Sequence, residues 1–313
     1  MPISKPELSI IIVNFNAGRF LERTLTSLYQ ACRNLNCELF VVDNASFDGS
    51  IEKVESGTLP AGRQEWKVES LKIIKNNQNL GFAKANNIAI RQAKGKYILL
   101  VNPDTEIEKN ALVKMIEFMK NHPEAGAATC KVVLESGAID WASHRGFPTP
   151  INAMFYFSRI SKLLPFPPFS GYNLNHKPLD RVHEIDSPSG CFYLVRKDVV
   201  DKVGLLDEDY FMYAEDLDWS YRIKKAGFRI YYNPDVKIIH HKGISSGIKT
   251  HSEKTSQAFK ETRLKAAASF YDTMKIFYDK HYKSKYPDFI RSLVFLSLDL
   301  LKHRRLAKLR SRK

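Results

Sequence analysis

The 313-residue sequence contains no apolar run of roughly 18 residues, the minimum for a helix that crosses a bilayer, so no transmembrane segment is predicted. Its polar opening, with Pro2, Lys5, Pro6 and Glu7 ahead of a short apolar run at 10–13, lacks the long apolar core of a signal peptide and reads as the approach to a first strand. Cysteine is sparse. Cys32, Cys37, Cys130 and Cys191 form no CxxC pair and no metal-ligand spacing, which predicts reduced thiols and a cytoplasmic setting. Neither GxGxxG nor a P-loop (GxxxxGKS or GxxxxGKT) follows the first apolar run, which argues against a dinucleotide-dependent dehydrogenase and a P-loop kinase. Acid is in deficit, with 34 acidic against 48 basic residues and a net charge of +14. Half of that excess sits at one place: Lys302, Arg304, Arg305, Lys308, Arg310, Arg312 and Lys313 fall in the last twelve residues, with no acid among them. Such a basic end attracts polyanions, whether anionic lipid or nucleic acid.

What is present is a regular alternation. Apolar runs at 8–13, 39–43, 71–75 and 97–102 are separated by helical spacings: Leu21, Leu25 and Leu28, then Ala85, Ile88, Ala89 and Gln92, then residues 112–119. Strands alternating with helices predict an α/β domain with a mostly parallel central sheet covered on both faces. Residues 146–180 break the rhythm with six prolines interleaved with aromatics, an irregular excursion that either lines a site or packs on the core. Order returns with a strand at 190–195 and helices at 197–203 and 215–226. Two short strands, 229–232 and 236–240, follow around an Asn233-Pro234-Asp235 turn. Helix dominates from 253 to the end, broken at Pro287. The domain reading is 1–250, split near 135 into a donor-binding half (1–135) and a catalytic half (136–250), followed by a helical extension, 251–313, with the basic tail.

In an open α/β sheet, ligands bind beyond the carboxyl ends of the strands. Every such end here carries short polar side chains: Asn14 and Asn16; Asp43, Asn44 and Ser46, with Asp48 and Ser50 behind them; Asn76 to Gly81; Asn102 and Asp104. One such end is ordinary turn chemistry, but four in a row point to a polar crevice. Without a glycine-rich cradle, phosphates need another counter-charge, and a divalent cation on carboxylate is a natural choice. Asp104 is the candidate ligand, the alternative being an Asn-Pro-Asp turn that caps the next helix. Glu215, Asp216 and Asp218 crowd a helix first turn. They can serve the helix dipole, and Asp218 can pair with Arg222, while Glu215 or Asp216 can act as a general base. His240 and His241 end the last short strand, where either could meet metal or phosphate, with Ser245 following.

These residues carry a resemblance. Ser9-Ile-Ile-Ile-Val-Asn-Phe-Asn16, Val41-Val-Asp-Asn-Ala-Ser46, Asn79-Leu-Gly-Phe-Ala-Lys-Ala-Asn-Asn87, Leu100-Val-Asn-Pro-Asp104 and the stretch 204–219 resemble, in this order, the family 2 glycosyltransferases of GT-A fold. The resemblance implies an inverting transfer of sugar from a nucleotide-diphosphate donor. Asn14, Asn16 and Asp43 would hold the nucleotide, with Asn44 and Ser46 nearby. Gly81, Ala85 and Asn86 would line the donor pocket. Asn102-Pro103-Asp104 is similar to the family's DxD motif with the first Asp replaced, which leaves Asp104 to hold Mg²⁺ or Mn²⁺. Asp216 would be the base with Glu215 as second choice, and His240 the late metal or phosphate contact with His241 as its substitute. Arg145-Gly-Phe-Pro-Thr-Pro150 and the aromatics after it resemble the rhamnosyltransferase-like subgroup. That implies dTDP-L-rhamnose as donor, with UDP-sugars as the alternative, and a glycan or polyprenyl-diphosphate-linked saccharide as acceptor in cell-surface polysaccharide synthesis. The apolar residues from Ile290 to Leu301 followed by the basic end suit an anionic membrane surface, so the expected location is cytoplasmic and peripheral on the inner face of the plasma membrane, with no nucleic-acid partner. A nucleotidyltransferase and a non-catalytic polyanion-binding protein are the rival readings.

Overall fold

A computed structural model describes residues 5–56, 71–241 and 260–311. In chain order the first half runs β1 (Leu8–Asn14), α1 (Arg19–Ala31), β2 (Cys37–Asp43), α2 (Ser50–Ser56), β3 (Leu71–Lys75), α3 (Phe82–Ile90), β4 (Tyr97–Val101), β5 (Thr105–Ile107), α4 (Ala111–Asn121) and β6 (Ala125–Val133). The second half runs α5 (Pro150–Phe157), α6 (Ile160–Leu163), β7 (His183–Glu184), β8 (Phe192–Arg196), α7 (Lys197–Val203), α8 (Glu215–Lys225), β9 (Arg229–His240), α9 (Lys260–His281) and α10 (Asp288–Ser311).

Among the described residues these strands form one mixed sheet in the order β3-β2-β1-β4-β8-β6-β9-β5, with β7 paired to β9. β1 is buried along its whole length because both of its faces are covered. Leu8, Ile10 and Ile12 enter one apolar core and Ile11 and Val13 the other, the two-residue period of a strand. A third, smaller core joins α8 to α9 through Leu217, Phe277 and Tyr278.

The directions of the strands decide where the chemistry collects. β1, β2, β3 and β4 are mutually parallel. β8 runs antiparallel to both β4 and β6, so β6 and its parallel partner β9 point the same way as β4. One edge of the sheet therefore receives the carboxyl ends of six strands and the amino ends of β8 and β5. Phe192 pairs with Val101, which sets Cys191 beside Asn102; Thr105 pairs with His240, which sets Asp104 beside that histidine.

Two expectations change. The two short strands expected around Asn233-Pro234-Asp235 are one twelve-residue strand, β9, whose pairing with β6 shifts register between Cys130 and Lys131. Pro234 cannot donate to the ladder, and the strand accommodates it as a bulge rather than a reversal. The irregular excursion contains two short helices. Thr149 caps α5 by accepting from the Asn152 N–H at 3.2 Å, and Pro150 opens it. Its base is packed backbone to backbone: a Cβ on Gly146 would lie 1.9 Å from the Gly171 carbonyl oxygen. The basic residues Lys302 to Arg310 lie within α10. The expected helical start at 253 and the Ser245 region lie outside the described residues.

Candidate active site

The strand ends enclose a cavity of about 880 Å³. Of the residues expected in the site, Asn44, Gly81, Asn102, Asp104, Glu215, Asp216 and His240 line it.

Asn14, Asn16, Asp43 and Ser46 form a hydrogen-bonded support behind that wall. The buried Asn14 amide donates to Asp43 Oδ1 at 2.8 Å and reaches the hydroxyls of Ser46 and Ser50 at 3.0 and 2.9 Å. Asp43 Oδ2 accepts from the Ser46 N–H at 3.0 Å, and Ser46 Oγ accepts from the Asn16 N–H at 3.0 Å. Asn44 continues the network outward. Its amide donates to the Gly81 carbonyl at 3.1 Å, and its carbonyl oxygen accepts from Asn76 at 2.9 Å. Gly81 has φ +85° and a Cβ there would sit 2.3 Å from the Phe211 carbonyl oxygen, so only glycine fits. Ala85 and Asn86 do not line the cavity. Ala85 is packed in the core, and the buried Asn86 amide turns back along α3 to donate to the Phe82 carbonyl at 2.9 Å.

At the next strand end, Asp104 Oδ1 lies 3.2 Å from His240 Nε2 and Asn102 Nδ2 lies 3.3 Å from the same nitrogen. The other ring nitrogen of His240 is 2.9 Å from Asp140 Oδ2, so a carboxylate accepts from Nδ1–H and fixes the ring. Cys191 completes a cluster in which ligand atoms of Asp140, Cys191 and His240 all lie within 4.8 Å of one another. With Nδ1–H given to Asp140, the Nε2 lone pair and the Asp104 carboxylate converge, an arrangement that asks for positive charge between them. Burial opposes a charge on the imidazole, but the Asp104 and Asp140 carboxylates outweigh it and raise His240 well above its ordinary value. Buried carboxylate oxygens converging with an imidazole nitrogen fit a divalent cation. His241 is not the partner. Alternation along the strand turns it to the opposite side, where it meets Glu106 at 2.9 Å and Glu135.

Across the cavity, α8 starts from two left-handed residues, Tyr213 (φ 74°) and Ala214 (φ 66°), a backbone that costs about 1–3 kcal/mol per residue and concentrates at functional sites. It presents Glu215 and Asp216. Asp216 Oδ2 accepts from Arg145 Nη2 at 2.6 Å, both side chains being about 11% exposed, and its Oδ1 accepts from the Leu217 N–H at 2.8 Å. Arg145 also donates to the Pro188 carbonyl at 2.8 Å. Glu215 Oε2 is buried without a hydrogen-bond partner. Burial, reinforced by the charge of Asp216, pushes the Glu215 carboxyl up to about 8. Asp218 is structural: it accepts from Arg222 at 2.8 Å and meets His281 of α9 at 2.7 Å.

Sequence reasoning missed Asp140 and Cys191 as members of the site. Of the two readings of the 146–180 excursion, Tyr156 and Phe157 of α5 follow the first and line the cavity; the part of that wall supplied by Tyr271, Met274 and Leu298 of α9 and α10 was missed.

The fold is GT-A. The solved mannosyltransferase PcManGT from Pyrobaculum calidifontis, in complex with GDP-Man and Mn²⁺, superposes with a TM-score of 0.54 at 17% identity, covering 99% of this chain and 74% of that one. The sequence matches the description Glycosyl transferase family 2 over residues 9–203, and the chain belongs to that family: it is a glycosyltransferase. The match ends before Glu215. Among similar proteins, an N-acetylglucosaminyl-diphospho-decaprenol L-rhamnosyltransferase of Mycobacterium tuberculosis is 28% identical over 255 residues, 77% of this chain and 78% of the relative. Rhamnosyltransferase WbbL of Escherichia coli K12 is 29% identical over 171 residues, 51% of this chain and 61% of the relative.

Proposed function

We propose that this glycosyltransferase moves L-rhamnose from dTDP-L-rhamnose to a hydroxyl of a glycan or lipid-linked saccharide, in one displacement that inverts the anomeric carbon. The observation that carries the reading is that the Asp104–His240 pair and the Glu215–Asp216 pair line one and the same cavity. The rhamnosyltransferase names of the two relatives support the choice of sugar.

The residues divide the work. Asn44 and Gly81 line the donor side, steadied from behind by Asn14, Asn16, Asp43 and Ser46. Asp104 and His240 would hold Mg²⁺ or Mn²⁺, which when bound neutralises the departing diphosphate. Glu215 keeps its proton to about pH 8, which leaves Asp216, ion-paired to Arg145, as the carboxylate of the pair. Asp216 takes the proton from the acceptor hydroxyl as that oxygen attacks. Positioning and charge stabilisation supply the rest of the acceleration.

No helix among the described residues is long and apolar enough to cross a membrane. Phe289, Leu293, Leu296 and Leu300 form an exposed apolar stripe along α10 that leads into exposed His303, Arg304 and Lys308. That pattern supports an enzyme lying against an anionic membrane surface.

The test is donor hydrolysis and thermal stabilisation across a panel of nucleotide sugars with Mg²⁺, Mn²⁺ or EDTA. A metal-dependent response to dTDP-L-rhamnose alone is expected. A response confined to UDP-sugars overturns the donor, and release of pyrophosphate in place of nucleoside diphosphate overturns the reaction.

A further inference from the structure

The excursion at 146–180 leaves the sheet and returns to it, and a histidine stands on each side of its neck. His144 directly precedes the Arg145 that holds Asp216, and His183 opens β7. Their Nε2 atoms lie 2.7 Å apart, although 39 positions separate the two residues in the sequence. His144 is 1% exposed and His183 is half-buried. The Tyr232 ring packs against both, at 4.9 and 5.1 Å between ring centres.

Counting protons shows what this contact asks for. His144 Nδ1 is 3.2 Å from the Asn173 carbonyl oxygen, and His183 Nδ1 is 2.9 Å from the Arg181 carbonyl oxygen. A carbonyl oxygen only accepts, so each Nδ1 carries its ring's proton. Both Nε2 atoms are then left with lone pairs aimed at each other. Three contacts need three positive bridges, and two neutral imidazoles supply two. A third proton is resisted: burial, and after it the charge of the other imidazole, pushes His144 down to about 4, and burial also lowers His183. A histidine that ligates a metal does so as the neutral ring, and it characteristically donates its other ring N–H to a carbonyl or carboxylate. Both rings here are held in that way.

We propose that His144 and His183 hold a transition-metal cation of the Zn²⁺ class between their Nε2 atoms, and that this ion clips the neck of the excursion. Its chemistry differs from that of the Asp104 cluster, because a pair of imidazole nitrogens suits Zn²⁺, Ni²⁺ or Cu²⁺ where carboxylate oxygens suit Mg²⁺ or Mn²⁺. Among the described residues no third His, Cys, Asp or Glu forms a ligand group with the pair, so the ion's remaining positions go to water. Its leverage comes from the loop it closes, since a clip gains more as the closed loop lengthens. That loop carries Tyr156, Phe157, Tyr172 and Asn173 to the catalytic cavity, so the ion steadies one wall of it. Lys177 is the charge that works against a cation at both rings, and its ammonium is turned to the Glu184 carbonyl.

The experiment is calorimetric titration of ZnCl₂ into the metal-stripped full chain, with limited trypsin digestion alongside. Asp140, Cys191 and His240 could also take Zn²⁺, so His240→Gln, with Cys191→Ser as a second variant, removes that competing group. The wild type and both of these variants are expected to bind Zn²⁺ at the histidine pair. His183→Gln, on a half-buried edge strand, should weaken that binding by at least about tenfold, the least that losing even an outer-shell partner costs. Lys177→Met should tighten it by about two- to fivefold, the worth of one partly exposed charge. Zn²⁺ should slow cleavage after the exposed Arg159 and Lys162 in the wild type and not in His183→Gln. Unchanged Zn²⁺ affinity in His183→Gln overturns the proposal. So does loss of all binding in both His240→Gln and Cys191→Ser; a wild-type Tm that then rises as pH falls from about 7 to about 5 would assign the gap to a proton shared between the rings.

Discussion

Arg145 and Asp216, 71 residues apart in the sequence, meet in a buried ion pair of 2.6 Å at the mouth of α8. The guanidinium spans Asp216 and the Pro188 carbonyl. This holds the carboxylate still while its other oxygen is fixed by the Leu217 N–H. Asp216→Asn is expected to lower kcat by about 10²–10⁴-fold and leave donor binding intact. Arg145→Lys keeps the charge but not the fork, and is expected to lower kcat more than it weakens the donor. Arg145→Ala leaves a buried carboxylate unpaired and should cost about 3–5 kcal/mol of stability. Steady-state kinetics with donor titration separate these cases, and full turnover by Asp216→Asn would remove it as the base.

Glu215 ties stability to pH. Its folded value, about 8, lies above the 4.5 of a free glutamate, so between those values the folded chain keeps a proton that the unfolded chain has released. Its contribution is complete below pH 4.5 and is lost as pH rises towards 8. Glu215→Gln imitates the protonated form, and the variant's Tm should fall less than the wild type's between pH 5 and pH 8. Parallel melting curves in the two proteins would show that Glu215 does not hold this proton.

Asp104→Ala should abolish metal-dependent stabilisation by the donor. Asp140→Asn acts through the ring it orients and should weaken metal binding by about 10–100-fold. Titration calorimetry with Mn²⁺ and nucleoside diphosphate reads both. Unchanged affinity in Asp104→Ala would exclude it as a ligand.

Gly81→Ala combines a left-handed backbone with a clash against Phe211. A loss of about 2–4 kcal/mol is expected from those two costs together, seen as a lower denaturant midpoint at constant m. An unchanged midpoint would mean that the loop yields freely.

The stripe on α10 gives a test that does not involve turnover. Leu293→Glu with Leu296→Glu should reduce co-sedimentation with vesicles containing anionic lipid and leave Tm near the wild-type value, since both positions are 58% exposed. Equal co-sedimentation would separate the enzyme from the membrane surface.

The donor half was legible because parallel strands deliver their ends to one edge, so Asn44, Asn102 and Asp104 could be read straight from the residues after each apolar run. His240 and the α8 carboxylates were legible from a strand end and a helix first turn, and the family motifs chose among them. Asp140 and Cys191 were not. Cys191 reaches the edge at the start of an antiparallel strand, and Asp140 in the turns after β6, where position in sequence gives no hint of direction. Ala85 and Asn86 came to the donor pocket through the resemblance alone, and a motif's position does not tell a core face of α3 from a cavity face. The cavity wall on α9 and α10 was hidden for a related reason: helical spacing of aromatics predicts burial, whether the occupant is protein or ligand.

The two walls of the cavity differ in how freely they can change. Asp104, Cys191 and His240 are placed by strand registers, and moving any of them means re-pairing a sheet whose every neighbour would feel the shift. The opposite wall consists of side chains on α5, α9 and α10, each replaceable without altering a backbone bond. A lineage built on this plan can trade one acceptor for another by single substitutions while its charge-handling machinery stays untouched, so divergence among descendants should collect in the helices and spare the strand ends.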